Sequence, residues 1–123
     1  MGITILQPLH TAILVSDLAQ AEQFYGDILG LSKVERSLNY PGAWYQLGEY
    51  QVHLMVDEQV PNGLHNRQKW GRNRHVAFAV ASVDEAADHL TARGYPVQRS
   101  ASGRAALFTY DPDGNVVELS ELT

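Results

Sequence analysis

The chain has 123 residues, a net charge of −5 and no cysteine. This length suits one compact domain, and the acidic balance argues against a nucleic-acid or anionic-membrane surface, because both need clustered lysine and arginine. Without cysteine there is neither a disulfide framework nor a thiolate metal site. The N-terminus lacks the features of a signal peptide, and no apolar stretch is long enough to span a bilayer, so we expect a cytoplasmic protein.

The first predicted strand is LHTAILV, in which successive side chains alternate between the two faces of a sheet. His10 lies on the face opposite the main apolar stripe. A helix follows, because Ser16 or Asp17 can cap it, apolar residues then recur at helical spacing, and Gly30 suits the position after its end. Short β-prone runs complete a β-α-β-β-β pattern at 33–35, 43–47 and 51–56.

A polar segment separates this half from the next and covers residues 58–73. It is longer than most connections between elements. One interpretation is a flexible linker. The other is a lid near a binding site, where Trp70, Arg72 or Arg74 would contact an anionic substrate.

The second half repeats the pattern from RHVAFAV, where His75 opens the strand and the alternate positions after it hold only alanine. Ser82 followed by Glu85 is a capping-box pattern, and Gly94 suits the end of the helix. Further β-prone runs lie at 97–99, 105–110 and 116–120, and DPDG at 111–114 is a tight turn. The halves predict an α+β fold of two tandem βαβββ modules, 5–57 and 74–122, joined by the loop 58–73 in a single domain, 1–123, with a curved mixed sheet around a central cavity.

The repeat has a register that can be read from the polar residues on its strands. A spacing of 65 residues separates the members of three pairs: His10 and His75, His53 and Glu118, Tyr45 and Tyr110. The helices need a gap of one residue, because Gly30 and Gly94 are only 64 apart. Each histidine and the glutamate lie opposite the main apolar stripe of their own strand, so the four side chains can converge in one cavity.

Three imidazoles and a carboxylate are typical ligands of a divalent transition metal. The subset His10, His75 and Glu118 has the composition of a two-histidine, one-carboxylate iron site. The predicted metal site therefore holds one divalent ion (Fe, Zn, Ni or Mn) on His10, His53, His75 and Glu118. Taken singly, each of these residues is more often an ordinary side chain on a half-buried strand.

Three motifs carry a resemblance to a known family: LHTAILVSDLAQAEQFYGDILGL, RHVAFAV and DPDGNVVELSE. Over nearly its whole length the chain resembles the vicinal oxygen chelate superfamily of glyoxalases, fosfomycin-resistance enzymes, extradiol dioxygenases and bleomycin-resistance proteins. The resemblance implies paired modules around one metal, with His10, His75 and Glu118 as core ligands and His53 as a fourth. It also implies a homodimer, and leaves open whether a site lies within one chain or takes its ligands from two.

The function implied is a metal-dependent enzyme that chelates two neighbouring oxygens of a small metabolite, with Glu118 or a metal-bound water moving a proton. The reaction would be of lyase, isomerase, transferase or extradiol-dioxygenase type. The alternative is a metal-free protein that sequesters a toxic compound, and a third is a site that binds metal without turnover. Candidate substrate contacts are Tyr45, Trp70, Arg104, Phe108 and Tyr110, with Trp44 as a further lining residue, although core packing explains the aromatics equally well.

Two departures bear on the choice within the superfamily. His53 stands where glyoxalase I usually has glutamate or glutamine. Ala12 and Phe108 stand where fosfomycin-resistance enzymes have threonine and tyrosine, and extradiol dioxygenases also tend to have tyrosine at the latter position.

Overall fold

The computed structural model describes residues 1–122, which form two compact units that divide between Glu58 and Gln59. Each unit combines helical structure with one four-stranded mixed sheet. The predicted α+β class with two tandem βαβββ modules is therefore confirmed. None of the helices among residues 1–122 is long and apolar enough to cross a membrane.

The first unit contains one helical segment between its first two strands. Its elements are β1 (His10–Val15), α1 (Leu18–Glu22), a π-helix (Gln23–Ile28), β2 (Ser32–Val34), β3 (Gly42–Leu47) and β4 (Tyr50–Val56). The strand order is β1-β4-β3-β2, with β1 parallel to β4 and the other neighbours antiparallel. The helical segment covers one face of the sheet, and Val15, Phe24, Tyr25, Val52 and Leu54 form the core there.

The second unit repeats this arrangement. Its elements are a short 3₁₀ helix (Trp70–Arg72), β5 (His75–Ala79), α2 (Val83–Ala92), β6 (Gln98–Arg99), β7 (Ala106–Tyr110) and β8 (Val116–Ser120). The strand order β5-β8-β7-β6 matches that of the first unit, and β5 is parallel to β8. Val83, Leu90, Leu107 and Val117 are buried in its core.

Side-chain caps begin both helices where the sequence predicts them. The Asp17 carboxylate accepts a hydrogen bond from the backbone N–H of Gln20 at 3.0 Å, so Asp17 and not Ser16 is the cap of α1. The Ser82 hydroxyl accepts one from the N–H of Glu85 at 3.1 Å. These bonds satisfy backbone donors that have no partner within the helix.

The first helix differs from the prediction of a single α-helix, because its second half is a π-helix. The N–H of Leu29 donates to the carbonyl of Phe24, five residues earlier, at 2.9 Å. The separation between His10 and Gly30 is one residue longer than the separation between His75 and Gly94. A π turn holds one residue more than an α turn, so it absorbs the extra residue while both segments still end in a left-handed glycine.

The strand ladders correct part of the predicted repeat. Trp44 pairs with His53 in the first sheet, and Phe108 pairs with Glu118 in the second. Trp44 and Phe108 are thus equivalent although they are 64 residues apart, and the counterpart of Tyr45 is Thr109. The 65-residue relation between Tyr45 and Tyr110 is therefore wrong as a structural equivalence.

The turn between β7 and β8 restores the 65-residue offset. In the first unit the turn between β3 and β4 has two residues, 48–49, between the last paired residues of the two strands. In the second unit the N–H of Asp111 donates to the carbonyl of Asn115, so the equivalent turn has three residues between them. The buried Asp111 carboxylate holds this turn by accepting hydrogen bonds from the N–H groups of Asp113 and Asn115, both at 2.9 Å. The structural role predicted for DPDG agrees with this geometry.

Candidate functional site

The first unit brings two of the predicted ligands together. His10 and His53 lie on the neighbouring parallel strands β1 and β4, on the sheet face away from the helix. Their rings are stacked with centroids 4.0 Å apart and planes inclined by only 14°. Trp44 stacks on the other side of His53 at 4.2 Å and 8°, so the His53 ring lies between two flat neighbours.

The environment of His53 favours the neutral imidazole that metals bind. Burial lowers its pKa, and the nearby charges of His10 and Arg36 lower it further. One ring nitrogen, Nε2, lies 2.8 Å from the side-chain oxygen of Gln51, which can only accept a hydrogen bond. Nε2 therefore carries the proton in that contact, and the lone pair of Nδ1 is left for a ligand.

Arg36 is a charged neighbour that the sequence analysis did not single out. One of its guanidinium nitrogens donates to the backbone carbonyl of Tyr40 at 2.8 Å, and the guanidinium lies 4.7 Å above the Tyr40 ring. Its Nε and Nη2 are buried and have no hydrogen-bond partner among residues 1–122. No motif marks it in the sequence, because its position depends on how the chain runs between β2 and β3.

The second unit brings the other two predicted ligands into direct contact. His75 and Glu118 lie on the parallel strands β5 and β8, with Nε2 of His75 3.1 Å from Oε1 of Glu118. The other ring nitrogen, Nδ1, lies 2.8 Å from the backbone carbonyl of Asn73, which can only accept. If Nδ1 carries the proton of a neutral ring, two lone pairs face each other between His75 and Glu118, and a proton or a cation must lie between them.

The Glu118 carboxylate is held ionised by its neighbours. The Ser120 hydroxyl donates to Oε2 at 2.6 Å, and Nη1 of Arg104 lies 3.5 Å from the same oxygen. The hydrogen bond from Ser120 is the main cause of its lowered pKa; burial opposes it, and the charges of Arg104 and His75 add to it. Oε1 is thereby left directed at His75.

The predicted aromatic contacts are distributed unevenly. Phe108 meets the ring of His75 edge to face at a centroid distance of 5.6 Å. Trp44 has the equivalent ladder position beside His53. Tyr45 is on the opposite face of its sheet, where it is only 2% exposed and its ring lies against Gly26. The alternation of side chains along β3 separates Trp44 from Tyr45, so only Trp44 shares a face with the histidines.

The segment before β5 packs against the sheet of the second unit. The N–H of Trp70 donates to the side-chain oxygen of Gln98 at 2.9 Å, and the Trp70 ring meets Tyr110 edge to face at 5.1 Å. A Cβ at Gly71 would lie 2.6 Å from the Phe108 ring, so glycine permits this close approach. These contacts show that this part of the segment is not a free linker, and a role as a lid stays a prediction.

The donor chemistry of the two pairs fits a divalent metal, since three imidazoles and one ionised carboxylate are suitable ligands. Each unit by itself supplies two of the four. Among residues 1–122 there is no group of three or more histidine, aspartate, glutamate or cysteine side chains close enough together to hold an ion. In the first unit both lone pairs lie in nearly parallel ring planes, so one ring must turn before both can bind the same ion.

The family model of the glyoxalase/bleomycin resistance protein/dioxygenase superfamily matches residues 7–119. The chain belongs to this superfamily. The lactoylglutathione lyase of Escherichia coli O157:H7 is 30% identical over 126 residues, covering 92% of this chain and 90% of that protein.

Solved structures of the superfamily have the same fold. A glyoxalase family protein from Enterococcus faecalis is 26% identical with a TM-score of 0.73, covering 94% of this chain and 97% of that one. The fosfomycin resistance protein FosX from Listeria monocytogenes is 20% identical with a TM-score of 0.71, covering 99% and 94%, and it bears on the fold alone.

Proposed function

We propose that this chain is a divalent-metal-dependent enzyme of the glyoxalase type that acts on a small oxygenated metabolite. In this proposal His10, His53, His75 and Glu118 bind one metal ion. The observation that carries it is the contact between His75 and Glu118, where an imidazole with its Nδ1 held by a backbone carbonyl turns its other nitrogen to a carboxylate oxygen. Metal-binding histidines are commonly oriented by such a carbonyl.

The site residues of the second unit have distinct proposed roles. When bound, the metal would act as a Lewis acid toward two neighbouring substrate oxygens. Glu118 is the residue proposed to hold or move a proton at Oε1, because Ser120 and Arg104 already engage Oε2. Phe108 would form one wall of the substrate site, and the exposed guanidinium of Arg104 would attract a substrate carboxylate or phosphate.

Lyase or isomerase chemistry is favoured within the superfamily. A relative named lactoylglutathione lyase covers nearly the whole chain at 30% identity. His53 supplies an imidazole on β4, so Glu118 is the one carboxylate in the proposed ligand set. We infer that proton transfer depends on Glu118 alone among the four.

Elemental analysis tests the metal directly. We expect about one divalent ion per chain in protein purified without chelator or affinity metal, and its loss from His75→Ala, because the imidazole is a ligand. His65→Ala is the matched control, since His65 is an exposed histidine outside both pairs, and it should keep the wild-type metal content. Circular dichroism would establish that both variants fold.

The opposite result would favour the second candidate function. Wild-type protein that contains no metal and takes up none on titration with iron, nickel, zinc or manganese would contradict the enzyme proposal. The flat stack of Trp44, His53 and His10 would then be the surface of a small-molecule sequestering protein.

A further inference from the structure

A cavity lies on the helix-covered side of the first unit, on the sheet face opposite His53. Its volume is about 550 Å³, within the range of small-molecule sites. Its polar lining comes from Glu22, Gln23, Asp27, Lys33 and Tyr45. None of these belongs to the proposed metal site, so this cavity needs its own explanation.

The π-helix brings the two carboxylates to the same side. Glu22 and Asp27 are five residues apart, and backbone hydrogen bonds in a π-helix join residues with this spacing. In an α-helix, residues stacked on one face are three or four apart. The extra residue of the first module therefore places both acids in the lining of the cavity.

Tyr45 is the buried polar group of this cavity. It is 2% exposed, and it contributes to the lining of the cavity. A Cβ at Gly26 would lie 3.5 Å from the hydroxyl oxygen, so the lack of a side chain at Gly26 leaves space directly beside it. Burial, and then the charges of Glu22 and Asp27, raise the pKa of Tyr45 to about 12, so the hydroxyl keeps its proton at neutral pH.

The charges in the cavity are not balanced. The ammonium of Lys33 lies 2.7 Å from a carboxylate oxygen of Glu22, which compensates that acid. Asp27 remains as the carboxylate facing the same space, and Ala19 and Leu31 add apolar surface. One net negative charge, one tyrosine hydroxyl and an apolar wall together suit a monovalent organic cation.

We propose that this cavity binds a primary alkylammonium ion, with the Asp27 carboxylate and the Tyr45 hydroxyl as its polar contacts. The ammonium donates to both oxygens, and the alkyl chain lies against Ala19 and Leu31. The site is separate from the proposed metal centre, because Tyr45 and His53 lie on opposite faces of the sheet.

The test is an amide ¹H–¹⁵N NMR titration with n-butylammonium chloride, and with sodium butyrate as the probe of opposite charge. We expect millimolar binding, with the shifts concentrated at Gly26, Asp27 and Lys33 and no matching response to butyrate. Equal responses to the two probes, or none to n-butylammonium at about 50 mM, would overturn the proposal.

Three variants identify the contacts. Asp27→Asn should weaken binding by about tenfold or more and Tyr45→Phe by about fivefold, because the ammonium loses an ionised acceptor in the first variant and an uncharged acceptor in the second. Glu49→Gln removes an equal charge from an exposed turn and should leave the affinity unchanged. Wild-type affinity in Asp27→Asn would overturn the assignment.

A fourth variant should act in the opposite direction. Lys33→Met releases Glu22 from its ion pair, so n-butylammonium should bind about threefold more tightly. A gain in affinity does not arise from a damaged fold, and weaker or unchanged binding in a folded Lys33→Met protein would contradict the proposed charge balance. Metal content should stay at the wild-type value in all four variants.

Discussion

At the scale of single residues, the contacts of Glu118 lower the pKa of its carboxyl group. Because its pKa is lower in the folded chain than in the unfolded one, the ionised carboxylate stabilises the fold. This stabilisation is fully present above the unfolded-state pKa and is lost as the pH falls through the folded-state pKa. The same ionised form is the one that can bind a metal, so acid should weaken both.

Removal of the Ser120 hydroxyl should move that transition. We expect Ser120→Ala to raise the pKa of Glu118, because the hydrogen bond from Ser120 is the largest cause that lowers it. Carboxyl ¹³C chemical shifts of Glu118 measured against pH would give the value directly. Ser37→Ala removes an exposed hydroxyl elsewhere and serves as control. A Glu118 titration that is identical in Ser120→Ala and wild type would refute this account.

Because Trp44 stacks on His53, tryptophan fluorescence can detect metal binding in the first unit. Since the two imidazoles are nearly parallel, one must turn to share an ion, and the packing around Trp44 then changes. We expect added metal to change tryptophan fluorescence in wild type and in Trp70→Phe, but not in Trp44→Phe. A response that persists in Trp44→Phe would place the change elsewhere.

Helix capping illustrates the scale of elements, because it depends on a few consecutive residues. Ser82→Ala should destabilise the protein by about 1 kcal/mol, since the N–H of Glu85 loses its acceptor. Ser82→Asp keeps an acceptor at the cap and should stay within a few tenths of wild type. Urea unfolding with Ser37→Ala as control would check both, and equal stability of Ser82→Ala and wild type would contradict the predicted cap.

The two helices also illustrate what local patterns leave undetermined. Capping residues and terminal glycines predicted both helical segments, and the structure confirms their ends. The same pattern did not predict the π-helix, because apolar spacing looks similar in α and π turns over six residues. The one-residue difference between the two helical segments was visible in the sequence, but the π turn that absorbs it was not.

Assembly belongs to the scale of the whole molecule, and we predict a homodimer. Strands β1 and β5, which carry His10 and His75, are both edge strands of their sheets, and exposed edges favour pairing with further chain. Light scattering should therefore give about twice the chain mass of 13.6 kDa. A monomeric mass over a wide concentration range would contradict this.

A pair of double variants would then locate the ligands. His10→Ala/His53→Ala and His75→Ala/Glu118→Ala should each lose the metal. In a mixed dimer, a site that takes one pair from each chain would be restored in one of two copies, giving about half the wild-type metal. A site built within one chain would stay damaged in both copies, and no metal would return.

The sequence by itself determined the class of fold, the tandem modules and the strand faces. All of these follow from alternation, capping and repeat spacing, which are properties of short stretches of chain. The 65-residue offset that relates His10 to His75 and His53 to Glu118 holds in the structure, because β1 with β4 and β5 with β8 have the same register.

Only the tertiary structure decided the register of β3 and β7, the separation of Trp44 from Tyr45 and the cavity behind Tyr45. The first module has an extra residue in its helix, and the second module has an extra residue in its β7–β8 turn. The strands that lie between these two positions in each module therefore differ in offset by one residue from the rest of the repeat. A shift of one residue moves every side chain to the other face of a sheet, so local patterns cannot replace the ladder of hydrogen bonds.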